Sequence, residues 1–188
     1  MTNIHFFFKI SSNYYKKKHG TYFDYLRGNN INMKKIGLIS DTHAELHPSV
    51  SKYFKECDEI WHAGDIGSME VLNELSAIAP VRAVHGNIDG WEYRKKYPEV
   101  LRFTCEDVNV LITHIGGYPG KYATGVKTLF AEQKVDLFIC GHSHILKVMY
   151  DDKHKLLHIN PGAAGNSGFH AVRTLVRFSI DGANIKDL

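Results

Sequence analysis

The chain is poor in cysteine and has no long hydrophobic run. Its three cysteines, Cys57, Cys105 and Cys140, are odd in number and far apart. They form no Cys-x-x-Cys pair, which excludes a disulfide framework. The spacing predicts buried free thiols in a reducing compartment. No apolar stretch approaches the roughly 20 residues that a membrane helix needs, so no membrane span is expected and a cytoplasmic location is. There is no internal repeat and no low-complexity segment.

An excess of charge is also missing from most of the chain. The formal net charge is +3. Residues 1–32 carry five of the 23 basic residues (Lys9, Lys16, Lys17, Lys18, Arg27) but one of the 20 acidic ones, Asp24. The remainder is close to neutral, which argues against a nucleic-acid polymer as partner. Phe6-Phe7-Phe8 is too short for a signal peptide, and the charges follow it instead of preceding it. Gly28-Asn29-Asn30 is a breaker cluster, and Met33-Lys34-Lys35 then opens the first strand as a start of translation would. Residues 1–32 are therefore expected to be a dispensable extension, and 33–188 one domain of ordinary size.

What the chain does have is histidine, twelve in all, ten of them after residue 32. Many stand at strand ends. Ile36–Ile39 reads as a short buried strand running into Ser40-Asp41-Thr42-His43. In extended backbone Asp41 and His43 would project to one side. Open α/β sheets place ligands just past such strand ends. A carboxylate and an imidazole aimed at one point suit a borderline divalent cation. Asp-x-His alone is a weak signal and needs matching ligands elsewhere.

The pattern then alternates. A helix near Pro48–Phe54 precedes strand Glu59–His62, which ends in Ala63-Gly64-Asp65. Ser68 is an N-cap for a helix with Val71, Leu72, Leu75 and Ile78 at helical spacing. Strand Val81–Val84 ends in His85-Gly86-Asn87-Ile88-Asp89. This βαβαβ start predicts parallel strands flanked by helices. Strands Val100–Thr104 and Val108–Thr113 pair around Glu106-Asp107, and the second ends in His114. A helix is predicted over Gly125–Gln133. Strand Asp136–Cys140 ends in Gly141-His142-Ser143-His144. Leu146–Tyr150, Leu156–Ile159, an Asn160-Pro161-Gly162 turn, Val172–Ile180 and a last strand after the Asp181-Gly182 hairpin complete the series. Two sheets packed between helices would accommodate so many strands.

Five strands thus end in polar clusters: Asp41/His43, Asp65, Asn87/Asp89, His114 and His142/His144. Glycine stands beside four of them, where backbone must turn tightly or approach an ion. This set resembles the calcineurin-like metallophosphoesterases from about Lys35 to Ile159. The short length and Asn160-Pro161-Gly162 are similar to the small YfcE-type phosphodiesterases. The resemblance implies a four-layer α/β/β/α sandwich. It also implies two divalent ions, Mn first and Ni, Fe, Zn or Co as alternatives. Asp41, His43 and His144 would hold one ion, Asn87, His114 and His142 the other, and Asp65 both. The implied reaction on a small phosphoester is in-line attack at phosphorus by a hydroxide shared between the ions. Asp65, Asn87, Asp89 and His114 are the residues it makes catalytic.

Two departures stand out. The superfamily commonly has histidine where this chain has Ile88, leaving Asp89 without the imidazole it usually orients. That predicts slower turnover and a preference for leaving groups that need little protonation. Ile115 replaces a common glycine and is expected to narrow the pocket near Gly116–Lys121. The same fold is similar to the eukaryotic retromer subunit, so a non-catalytic scaffold is the rival, with a phosphomonoesterase as a third reading. The presence of His43, His114, His142 and His144 favours catalysis. Outside the ligand set, His62 and His85 are expected to be core histidines, and His154 and His158 ordinary hairpin residues. His47, Tyr118, Lys121 and His170 are either pocket lining or surface. Trp61 and Trp91 are read as core and rim packing. Oligomeric state is open.

Overall fold

The computed structural model describes residues 33–188; the expectation for 1–32 lies outside the described residues. Twelve strands and four helices follow one another along the described chain. The first sheet is built on β1 (Lys34–Ile39), β2 (Glu59–His62) and β3 (Val81–Ala83), which run parallel, with α1 (Ser49–Phe54) and α2 (Met69–Ser76) as crossovers. The last strands, β11 (Val176–Asp181) and β12 (Asn184–Lys186), extend it antiparallel in the order β12-β11-β1-β2-β3. The second sheet has the order β4-β5-β8-β10-β9. Its parallel centre is β5 (Val108–Thr113), β8 (Leu137–Ile139) and β10 (Leu156–Pro161), and its antiparallel edges are β4 (Val100–Cys105) and β9 (Leu146–Asp151).

The layers follow from side-chain alternation. Ile36, Leu38 and Trp61 from the first sheet meet Val110, Ile112, Leu137, Ile139 and Ile159 from the second in one buried cluster. Trp61 is fully buried and packs edge-on against Phe103 and Phe178, with ring centroids 4.9 and 5.7 Å away. Residues of opposite parity, Ile39 and Ile60, face Val50 and Phe54 of α1 and Val71, Leu72 and Leu75 of α2. Gly37 lies under the Phe54 ring, where a Cβ would come within 2.8 Å of it. On the far side, Leu111 and Phe138 pack against Val126 of α4 (Val126–Glu132). The result is the expected α/β/β/α sandwich. The N-cap of α2 is Ser68, whose hydroxyl accepts from the Val71 amide.

Four features differ from the sequence reading. Helix α3 (Trp91–Lys96) was not expected; it buries no residue, so it carries no apolar stripe. Trp91 is 69% exposed and lies under Lys95 Nζ. The hairpin of β6 (Gly117–Tyr118) and β7 (Lys121–Tyr122) is too short to leave a pattern. Pro161 continues β10 opposite Leu146 instead of turning, with Gly162 at φ 75° after it. Finally, β11 starts at Val176 and not Val172, because the Thr174 hydroxyl and amide bond to Pro161 O and Ala163 O.

The thiols of Cys57, Cys105 and Cys140 are free and buried. His154 sits at the β9–β10 turn and bonds to Asp151 at 2.7 Å. His158 lies in the β9–β10 hairpin, on β10 opposite Met149. It is fully buried on the α4 face of β10, beside Phe138, with both ring nitrogens unpartnered. Burial pushes its pKa down to about 4. The unfolded chain therefore binds a proton near pH 6.5 that the folded one refuses. Stability should fall as pH drops from about 6.5 to about 4 and level off below that. His158→Leu is expected to remove this component, gaining about 2–3 kcal/mol relative to the parent between pH 7 and pH 4.5. Urea unfolding at the two pH values measures it, and parallel pH dependences would refute it.

Candidate metal centre

The C-terminal ends of β1, β2, β3, β5 and β8 deliver the polar clusters to one edge of the sandwich. Two groups form: Asp41, His43 and His144, and Asp65, His114 and His142, each with its ligand atoms within 4.8 Å of one another. In the first, His144 Nε2 lies 3.3 Å from Asp41 Oδ1 and 3.2 Å from His43 Nε2. In the second, His114 Nε2 lies 3.2 Å from Asp65 Oδ1 and 3.1 Å from Asn87 Oδ1. Asp65 Oδ2 faces the other group, 3.9 Å from His43 Nε2. Asp65 therefore lies between the two, one oxygen toward each.

The backbone at this edge is not extended. Asp41 (φ 54°), His43 (48°), Asp65 (54°), His142 (68°) and His144 (57°) are all left-handed. Non-glycine residues pay for that conformation, and such strain gathers where function needs a side chain aimed. The strand-alternation argument for Asp41 and His43 is thus corrected: β1 ends at Ile39, and left-handed turns aim both side chains. The amides of Asp41, His43 and Ala44 bond to the carbonyls of Gly64, Asp65 and Ile66, stitching the two loops together. Gly86 and Gly141 leave room for the carboxylates; a Cβ on either would collide with Asp65 or with Ser40.

Two further residues hold the loops. Asp89 is buried, and its carboxylate accepts from the amides of Ile66, Gly67 and Gly86 at 2.7–3.1 Å. It anchors the loops after β2 and β3 and belongs to neither ligand group. Asn160 was legible only as part of a turn. Its amide donates to Gly141 O at 2.7 Å and to Ser143 Oγ, and its carbonyl accepts from Gly162 N, which fixes the segment bearing His142 and His144.

Electrostatics test whether the donors suit a cation. Asp41 is wholly buried, and burial raises its pKa against the pull of His114. For Asp65, burial is outweighed by the hydrogen bond and charge of His114, and the pKa falls. Burial likewise opposes the charged form of His114, but Asp65 and Asp41 prevail and raise it. Among the described residues, the basic groups within 4.0 Å of these two carboxylates are all imidazoles. Two buried carboxylates with no lysine or arginine, and imidazoles whose nitrogens face each other at 3.2 Å, suit cations. His114 donates Nδ1–H to Ala63 O at 2.8 Å, so Nε2 is the nitrogen that would hold an ion, as in a ligating histidine.

His62 is buried and satisfied: Nε2 meets the Thr42 hydroxyl and Nδ1 accepts from Gly64 N. His85 is buried, with Nδ1 3.3 Å from Gly86 O. His47 accepts from Ser49 N, outside both groups. Tyr118 lies under Lys147 Nζ, and Lys121 is exposed. His170 packs on His144 with centroids 5.1 Å apart. Ile88, Ile115 and Ile145, each next to a cluster residue, are exposed.

A layered α/β protein with two carboxylate–imidazole groups at one sheet edge defines a class, the metal-dependent phosphoesterases. The chain belongs to the calcineurin-like phosphoesterase superfamily, whose domain profile matches residues 33–183. It is 33% identical over 133 residues to a probable metallophosphoesterase of Methanothermobacter thermautotrophicus, covering 68% of this chain and 76% of that one. A second probable metallophosphoesterase, from Methanocaldococcus jannaschii, is 35% identical over 133 residues, covering 68% and 67%. In fold it is similar to a Vps29 single mutant from Entamoeba histolytica, with TM-score 0.65 and 18% identity over 80% of this chain and 88% of that one.

Proposed function

We propose that residues 33–188 form a dinuclear-metal phosphodiesterase domain. Asp41, His43 and His144 hold one divalent ion; Asn87, His114 and His142 hold the second; Asp65 is shared. The observation that carries this reading is Asp65, with one oxygen 3.2 Å from His114 Nε2 and the other 3.9 Å from His43 Nε2. A shared anion is what two closely spaced cations require. Mixed nitrogen and oxygen donors favour Mn, Fe, Zn, Ni or Co over Mg. The bound ions supply Lewis acidity and lower the pKa of a water. The protein's part is to aim donors. Asn87 adds a neutral oxygen, which keeps the site cationic enough for a phosphate ester. Asp89 and Asn160 hold the loops rigid, so little reorganisation accompanies the reaction.

Ile88 cannot donate a proton to a leaving group, so esters of acidic alcohols or phenols suit this site. Ile88→His is expected to raise kcat for an alkyl phosphodiester about tenfold and to change that for a nitrophenyl ester less than threefold. Asp89 is already committed to backbone amides, which limits the gain. An equal effect on both esters would refute this account of Ile88.

The test is hydrolysis of bis(p-nitrophenyl) phosphate against p-nitrophenyl phosphate by metal-analysed protein with added Mn2+, with and without a chelator. Chelator-sensitive preference for the diester is expected. Preference for the monoester would make the chain a phosphomonoesterase. Full metal loading without turnover of either ester would favour the scaffold reading, which has the Vps29 likeness as its support. No helix among the described residues is long and apolar enough to cross a membrane. A small phosphoester substrate and a cytoplasmic setting complete the reading.

A further inference from the structure

Asn87 is exposed, so packing does not aim its side chain. Its Oδ1 nevertheless lies 3.1 Å from His114 Nε2. The aim must come from the backbone of the loop after β3, and one side chain of the next element holds that loop. Arg94, on α3, donates from Nε to Asp89 O at 2.9 Å. Its Nη2 donates to Gly86 O at 3.5 Å and to Asn87 O at 3.4 Å. A guanidinium is a planar fork of donors, suited to several acceptors at once. Arg94 works from a fixed base, because its neighbours Tyr93 and Tyr97 pack, partly buried, against the core under α1 and α2.

The two carbonyls that Nη2 meets belong to the peptide units on either side of the Asn87 Cα. The unit after Asn87 is held at both ends: its oxygen faces Arg94, and its amide, Ile88 N, donates to Asp65 Oδ1 at 3.1 Å. The unit before Asn87 has its oxygen on Arg94, and the amide of the preceding unit, Gly86 N, donates to Asp89 Oδ2 at 2.7 Å. Each peptide unit is planar, so holding both planes fixes φ and ψ of Asn87, the two soft backbone dihedrals that carry its side chain. Carboxylates thus take the amides of this loop, and a guanidinium takes its carbonyls.

We propose that Arg94 is a positioning residue for the second metal place: by holding the peptide units on both sides of Asn87, it aims the Asn87 amide oxygen at the ion it would share with His114 and His142. The proposal rests on the metal-centre reading above but not on the reaction assigned to it.

The test is calorimetric titration of the full, metal-stripped chain with MnCl2, with melting of the metal-free proteins as a control. Arg94→Met keeps an unbranched stem of similar helix propensity but offers no donor. Because Arg94 is exposed, the variant is expected to fold, melting less than about 4 °C below the parent. It should weaken one of two Mn2+ equivalents about tenfold and the other less than threefold. Two further backgrounds identify the weakened equivalent. In His43→Ala, which spares the second place, Arg94→Met should still weaken Mn2+ binding about tenfold. In Asn87→Ala, where nothing is left to aim, it should change the remaining affinity less than threefold. Parental affinities in Arg94→Met would overturn the proposal while leaving the phosphodiesterase reading intact. So would equal weakening of both equivalents, which would make Arg94 a support for the whole edge. A parent chain that binds Mn2+ without hydrolysing any phosphoester defeats that reading, yet this comparison still decides the role of Arg94. A parent that binds no Mn2+ defeats both.

Discussion

Asp65→Asn is expected to lower turnover of bis(p-nitrophenyl) phosphate by about a thousandfold or more, because removing one member of a cooperating unit removes most of what the unit does. The substitution is nearly isosteric, and an amide oxygen can still accept from Ile88 N, as Asp65 Oδ1 does at 3.1 Å. What changes is charge. Two cations would then share a neutral ligand, and their repulsion would go unanswered. Metal analysis should therefore show one equivalent retained in place of two, with the far-ultraviolet circular dichroism unchanged. Full double occupancy with near-parental turnover would show that Asp65 does not bridge.

Asp89→Ala should have the largest effect on stability. One carboxylate accepts three backbone amides, those of Ile66, Gly67 and Gly86. Alanine would leave these donors unpaired where water has little access, at about 1–3 kcal/mol each before relaxation. A net loss of about 3–5 kcal/mol is expected, as for other broken buried networks. Urea unfolding in the presence of chelator measures it without the contribution of bound metal. A loss below about 1 kcal/mol would mean that the loops after β2 and β3 are held by something else.

How far the sequence could be read depended on the period of each signal. β1, β2, β5 and β8 were legible because their side chains alternate between two buried layers, and α2 because Val71, Leu72 and Leu75 recur at helical spacing. α3 was not legible, since nothing in Trp91–Lys96 is buried. Asp41, His43, Asp65, His142 and His144 could be named as polar residues at strand ends. Their left-handed backbone could not be foreseen, because none of them is glycine and the strain is imposed by the loops they join. Asn160 acts through a contact made across the fold, at a separation of 19 residues to Gly141. The hairpin position of His158 was legible, but its burial was not. Only the covering helix α4 puts it indoors.

The two ligand groups are each drawn from both sheets. His144 of the second sheet completes a pair from the first, and Asp65 of the first completes a pair from the second. Neither half of the sandwich can grip an ion alone. Metal capture would then be the last event of assembly and metal release the first of disassembly, preceding the rupture of either sheet's own hydrogen bonds. A bound ion would serve this protein as a clasp across its central seam, and its loss would report that the seam had begun to open.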